Sequence, residues 1–303
     1  MVEKGYASEA PSRNCFNELT IDNQLYLIYA ALKRELWTPT QLTSAVWLDA
    51  ADSATITLNG SNVSQWNDKS GNNRNASQST ASWQPLFVPT GMNGLPTLQT
   101  DGGDFLSIGL RFGLFQNVSG ATIAIVIKYS FGEYVTNALS AFVSTGTSPT
   151  TTRFGLTPSS TLNSLAAAGR RLDTDSFAVA ESSTTRISAS GVGIIEVGNA
   201  DYANARANHF TNGTQDATNV IFQTAGNTDN TTAQATSLFA INSFGLIANQ
   251  LPSGCQISEV LMFNSTLSTT DRQKLEGYLA WKWGTVASLP AGHPYKNSPP
   301  YLP

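Results

Sequence analysis

At 303 residues the chain is long enough to bury one large core, yet only 13% of it is charged and the net charge is −4. So weak a charge, with no basic patch, excludes a nucleic-acid binder, and no apolar run reaches the length of a membrane-spanning helix. Two cysteines, Cys15 and Cys255, are too few for a disulfide framework, so a buried thiol is the simpler reading of Cys255.

The polar start, MVEKGYASEAPSRN, has no apolar centre and does not read as a secretory signal. The expectation is a protein made in a cytoplasm that stays there, or leaves by lysis or on a virus particle. Asp22 can then cap a helix carrying Leu25, Ile28, Tyr29, Leu32 and Leu36 at helical spacing. Residues 37–41, with Trp37 and Pro39, read as a linker. Two accounts of the helix stay open: it folds back on the globular part of its own chain, or it docks on another chain. Its place between a polar tail and a Pro-containing linker points to a tether, and bundling of three copies is a further arrangement. The domains are then an anchoring segment, 1–41, and a globular domain, 42–303.

The globular part opens with a strand at 45–48 ending in Asp49. Strands 56–58 and 63–66 flank Asn59-Gly60, a hairpin signal because both residues tolerate positive φ. A dense turn, Trp66-Asn67-Asp68-Lys69-Ser70-Gly71-Asn72-Asn73, leads to Ala76. Further strands are expected at 96–99, 105–108 and 121–129; the last alternates most clearly and should be central. Segments 138–144, 153–156, 177–180, 185–189 and 193–197 continue at the spacing of a sandwich. A second hairpin signal, Asn212-Gly213, follows 208–211, and 239–244 precedes a closing strand at 256–263.

Ser268 stands where a helix N-cap belongs, with Asp271 in the first turn, so a helix is predicted from Thr269 to Trp283, stopped by Gly284. Leu275, Leu279 and Trp283 share a stripe beside Tyr278, while Arg272, Lys274 and Glu276 are expected to point elsewhere. A helix this short must bury its aromatic stripe on the sheet.

The runs Val46-Trp47-Leu48-Asp49-Ala50, Val63 to Gly71, Asp101-Gly102 with Phe105-Leu106, and Ser258 to Asn264 resemble the laminin-G-like group of concanavalin A-like domains. The ending LEGYLAWKWG with LPAGHPYKNSPP is similar to the variant found in bacteriophage virion proteins and bacterial surface proteins. The resemblance covers roughly residues 44–300. It implies an all-β, two-sheet antiparallel jelly-roll sandwich with a C-terminal helix and a separate N-terminal helix, often a carbohydrate-binding or adhesive module. In a phage such a module decorates a capsid, fibre or spike at the virion surface. Its partners would be other virion proteins, reached through the N-terminal segment, and host surface glycans, with no nucleic acid or membrane. A bacterial lectin-like module and a glycan hydrolase are the alternatives.

Hydrolysis of a glycan needs two carboxylates about 5 Å apart, and no strand carries a paired cluster: Glu259 and Glu196 each stand alone. The only histidines, His209 and His293, have no nucleophile setting, and His293 is expected to pack on Tyr295. No enzyme activity is therefore expected. Sugar binding needs an aromatic platform beside polar groups; Trp66, Asn67 and Trp83 are the candidates, although Trp66 can equally pack in the core with Trp281 and Trp283. Calcium is the cofactor left open by the resemblance, with Asp68, Asp101 and Asp104 as oxygen donors. The simpler reading makes Asp101 to Asp104 a tight turn and Asp68 the cap of its own turn.

Overall fold

The computed structural model describes residues 34–110, 113–129, 141–144, 152–158, 165–181, 191–229, 235–238, 240–243, 246–251 and 253–303. In chain order the strands are β1 (Val46–Asp49), β2 (Ile56–Asn59), β3 (Asn62–Trp66), β4 (Ala76–Ser77), β5 (Leu86–Met92), β6 (Leu95–Gln99), β7 (Leu106–Leu110), β8 (Gly120–Lys128), β9 (Ala141–Ser144) and β10 (Thr152–Pro158). They continue as β11 (Leu165–Gly169), β12 (Ala178–Glu181), β13 (Gly193–Asp201), β14 (Arg206–Thr211), β15 (Thr214–Ile221), β16 (Ala235–Leu238), β17 (Ala240–Ser243), β18 (Leu246–Gln250) and β19 (Gln256–Phe263). One helix, α1 (Thr269–Trp283), comes after β19.

Every strand pairing among the described residues is antiparallel. One sheet runs β1-β19-β8-β13-β14-β15. The other runs β2-β3-β4-β7-β16-β9-β10-β11-β12. The β5–β6 hairpin pairs with β19 on one side and β3 on the other, closing one edge between them. This is the expected two-sheet jelly-roll sandwich.

The centre of the first sheet is buried on both faces. Gly198 of β13 faces inward, since a Cβ there would meet Phe154, Leu156 and Ala167 of the second sheet. By alternation Ile123, Ile125 and Ile127 share that inner face, while Ala124, Val126, Glu259 and Trp47 face out beneath α1. Hence β8, β13 and β19 are almost wholly buried.

The helix has the predicted limits. Ser268 Oγ accepts from the Asp271 amide at 3.1 Å, and Gly284 ends it in the left-handed region at φ 73°. Leu275, Leu279 and Trp283 are buried as expected, but so are Arg272 and Glu276. Arg272 lies 3.8 Å from the centroid of the Phe210 ring and 2.6 Å from Glu276, which also meets His293 Nε2 at 3.1 Å. These two charges therefore pair inside the interface instead of pointing away. Gly277 admits the C-terminal coil, because a Cβ there would stand 2.5 Å from Tyr295 Cβ. His293 does pack on Tyr295, ring centroids 6.0 Å apart.

The chain divides into two compact units, one of them Trp37–Pro300. Trp37, read from sequence as linker, is 3% exposed; its ring packs edge-on to Tyr278 at 6.3 Å and its amide donates to the Pro300 carbonyl. An indole is too large an apolar group to leave in a linker when a groove beside the helix can take it. The other unit contains the described residues 34–36 and 301–303, where Leu36 bridges Tyr301 and the Leu302 amide donates to the Glu35 carbonyl. Leu36 is 54% exposed. The predicted N-terminal helix and its Leu25, Ile28, Tyr29 and Leu32 lie outside the described residues, as do Cys15 and the segment 185–189.

Candidate functional site

The turn after β3 is built around Asp68. Its Oδ1 accepts from the amides of Trp47 and Ser70, both at 2.9 Å, and its Oδ2 accepts from Ser70 Oγ at 2.7 Å and the Arg74 amide at 3.0 Å. Asn75 Oδ1 takes the Asp68 amide in turn. Four donors on one carboxylate make it a loop organiser, the capping role. Asn72 Nδ2 reaches the Ser44 and Ala45 carbonyls, and Arg74 Nη1 reaches Ala45. The turn is thereby pinned to the entry of β1.

Between that turn and residues 39–44 lies an open cleft of about 300 Å³, lined by Pro39, Thr40, Thr43, Ser44, Trp47, Lys69, Ser70 and Asn72 among others. Trp47 forms the apolar wall, 7% exposed, with Lys69 Nζ 4.6 Å above its ring. Lys69 is held by Asp49 at 2.9 Å and Asp52 at 3.0 Å. Burial disfavours its charge, but the two carboxylates outweigh that and hold its pKa above the usual lysine value. Pro39 and Leu42 add apolar surface, the remaining lining is hydroxyl, amide and carbonyl, and among the described residues no carboxylate lines the cleft. Such a surface can hydrogen-bond neutral hydroxyls against an indole edge.

The sequence-predicted ligand residues are not brought together here. Trp66 is completely buried in the core and shows no edge to a ligand, whereas Trp47 keeps a small one. Asn67 is half-buried, its Oδ1 accepting from Gln65 Nε2 at 2.6 Å. Trp83 is half-buried against Phe105, ring centroids 5.8 Å apart. None of the three lines the cleft. Trp283 joins Trp66 in the core, whereas Trp281 is 40% exposed.

The other predicted calcium donors also serve turns. Asp101 Oδ1 accepts from the Gly103 amide and Asp104 Oδ2 from the Asp101 amide, each at 2.8 Å. Asp104 is only 3% exposed, and burial, aided by the charge of Asp101, pushes its pKa up to about 6. Among the described residues no three His, Cys, Asp or Glu side chains gather as a metal cluster.

Sequence reasoning missed two buried polar groups. In one, His209 lies between Asp216 (Nδ1 to Oδ2, 3.3 Å) and Glu196 (Nε2 to Oε2, 3.7 Å), all three fully buried, with Tyr129 OH donating to Glu196. The β14–β15 register skips Asp216, so a bulge turns that side chain inward. In the other, Asp49, Glu259 and Lys282 meet under α1. The first depends on the bulge that turns Asp216 inward and the second joins a strand near the start of the domain to the C-terminal helix, so spacing carried no signal of either.

No protein-family model matches the sequence, and no curated protein matches it. Solved structures of similar fold include domain 4 of an extracellular arabinanase from Geobacillus stearothermophilus in complex with arabinotriose. It has 12% identity, a TM-score of 0.53, and coverage of 77% of this chain and 98% of that one. The binding domain of botulinum neurotoxin serotype G has 13% identity, a TM-score of 0.52, and coverage of 80% and 52%. The binding domain of Paraclostridial Mosquitocidal Protein 1 has 10% identity, a TM-score of 0.53, and coverage of 78% and 52%. The chain spans about half the length of these two toxin domains. The class that fold and likeness define is the all-β, jelly-roll sandwich.

Proposed function

We propose that this chain is a non-catalytic, lectin-like module of a bacteriophage particle, which takes a neutral oligosaccharide in the cleft around Trp47. The cleft carries the reading: an indole edge with Pro39 and Leu42 beside a rim of hydroxyl and amide groups, and no carboxylate among the described residues that line it. The sandwich it shares with a domain solved in complex with arabinotriose supports a sugar as the ligand. The missing carboxylate supports binding without hydrolysis, since glycosidic cleavage needs an acid and a base or nucleophile at the bond. The resemblance of the C-terminal segment to phage virion modules supports the particle, and the segment 1–36, which precedes the compact unit Trp37–Pro300, is then the mount on other virion proteins. Many copies on one particle offset a weak single-site affinity for host glycans.

Thr43→Trp places an indole in the open cleft. Its affinity for immobilised neutral oligosaccharides, arabino-oligosaccharides included, is expected to fall at least about tenfold, roughly 1.4 kcal/mol, with the unfolding midpoint unchanged. Undiminished binding would move the site elsewhere. Deleting residues 1–36 is expected to leave Trp37–Pro300 folded but absent from purified particles. A truncated chain that still sediments with them would rule out the mount.

A further inference from the structure

Asp49 and Glu259 stand directly opposite one another in the β1–β19 ladder, a like-charge pairing that ordinarily destabilises a sheet. Lys282 enters between them from the last turn of α1, its Nζ 2.6 Å from Asp49 Oδ1 and 2.8 Å from Glu259 Oε2. The group is shielded: side-chain exposure is 16% for the lysine, 6% for Asp49 and 0% for Glu259. The rings of Tyr278 and Trp283 lie 5.3 and 5.1 Å from the ammonium. Trp47 and Trp283 each donate an indole N–H to Glu259, at 2.8 and 2.7 Å. A nitrogen this close to a carboxyl oxygen is within about 3.5 Å of the carboxyl carbon, a near-attack distance. We propose that Lys282 and Asp49 condense into an intramolecular isopeptide bond, with Glu259 as the proton relay, stapling α1 to β1.

The step balances within the chain. Glu259 takes a proton from the Lys282 ammonium, and the freed amine attacks Asp49 Cγ. The nitrogen then gives up a second proton, again through Glu259. Oδ2 of Asp49 gathers both protons and leaves as water, assisted by Lys69 Nζ, which stands 2.9 Å away. One C–N bond forms, one C–O bond breaks, and Glu259 and Lys69 end as they began. No oxidant, metal or cofactor is needed. Burial, opposed by Lys282 but reinforced by Asp49, holds the Glu259 carboxyl above its usual range, towards the value a relay between amine and carboxyl requires. Exclusion of bulk water by the surrounding rings favours the amide over its hydrolysis. The bond would tie residue 49 to residue 282 and enclose most of the sandwich, a cross-link suited to a domain that works outside a cell.

Intact mass of the purified full chain tests this directly. The expected mass is lower than the sequence mass by one water, and tryptic digestion should release a branched peptide joining 35–69 to 275–296. Glu259→Gln and Asp49→Ala should each restore the full mass. A wild-type chain at full mass overturns the proposal, as does a dehydrated chain whose link maps to any pair other than Lys282 and Asp49. A Glu259→Gln chain that still forms the link overturns the relay.

Discussion

Replacing Trp283 with alanine is expected to lower the free energy of unfolding by roughly 3 to 5 kcal/mol. The side chain is 1% exposed at the end of α1 and its Nε1 donates to Glu259 Oε2 at 2.7 Å. Truncation therefore empties a large volume at the helix–sheet interface and also takes one donor from a buried carboxylate. The two losses fall on an element of fifteen residues that has little stability of its own in water. Trp283→Phe separates them: it keeps most of the volume and loses the hydrogen bond, so its cost should be nearer 1 to 3 kcal/mol. Denaturant midpoints at constant m-value give both numbers. A Trp283→Ala midpoint equal to wild type would mean that α1 is not clamped on the sheet.

Where local chemistry decides an element, this fold was legible in the sequence. Ser268, Asp271 and Gly284 bounded α1 because cap and stop act within a turn of themselves. The alternation of 121–129 marked β8 as central, and it is paired on both sides, with β13 and β19. The Asn59-Gly60 hairpin formed one residue later, over Gly60 and Ser61, with Gly60 at φ 65°. The second hairpin kept its Asn212-Gly213 turn, φ 49° and 78°. Other strands were hidden by composition. Pro89 and Gly91 interrupt β5, and the Val88 to Met92 stretch is where its ladder with β6 breaks register. The Leu-Ala-Ala-Ala-Gly run of β11 has a helix former's composition. It is a strand because it pairs on both sides, with β10 and β12, and its last position must be glycine: a Cβ at Gly169 would come 3.0 Å or less from the backbone of Arg153 and Phe154.

The site was less legible for a related reason. Asp68 was singled out for its turn chemistry and does organise the loop that shapes the cleft. The lining itself comes from residues 39–47 and 69–72, joined only when that loop is pinned on β1. Trp66 and Trp47 carry the same side chain and sit on strands of similar pattern. Which of them keeps an edge towards the cleft depends on what covers each face, and that is decided by tertiary packing.

Removing His209 is expected to be strongly destabilising. His209→Ala leaves Glu196 and Asp216 fully buried beside each other without the cation between them, a loss of roughly 3 to 5 kcal/mol. The same group makes stability depend on pH. Burial disfavours the imidazolium, but Asp216 and Glu196 outweigh it and hold the His209 pKa above its ordinary value. A folded-state pKa above the unfolded value means the folded chain binds the proton more tightly. The contribution is then complete below about pH 6.5 and is lost as pH rises through the folded-state value. Wild type should therefore lose stability on the alkaline side of neutrality, and His209→Gln, which has no proton to lose there, should show a shallower slope. Thermal unfolding from pH 6 to 9 measures both slopes. Equal slopes would mean that the imidazole is neutral between its two carboxylates, and that Tyr129 and Thr211, whose hydroxyls donate to Glu196 and Asp216, hold the cluster instead.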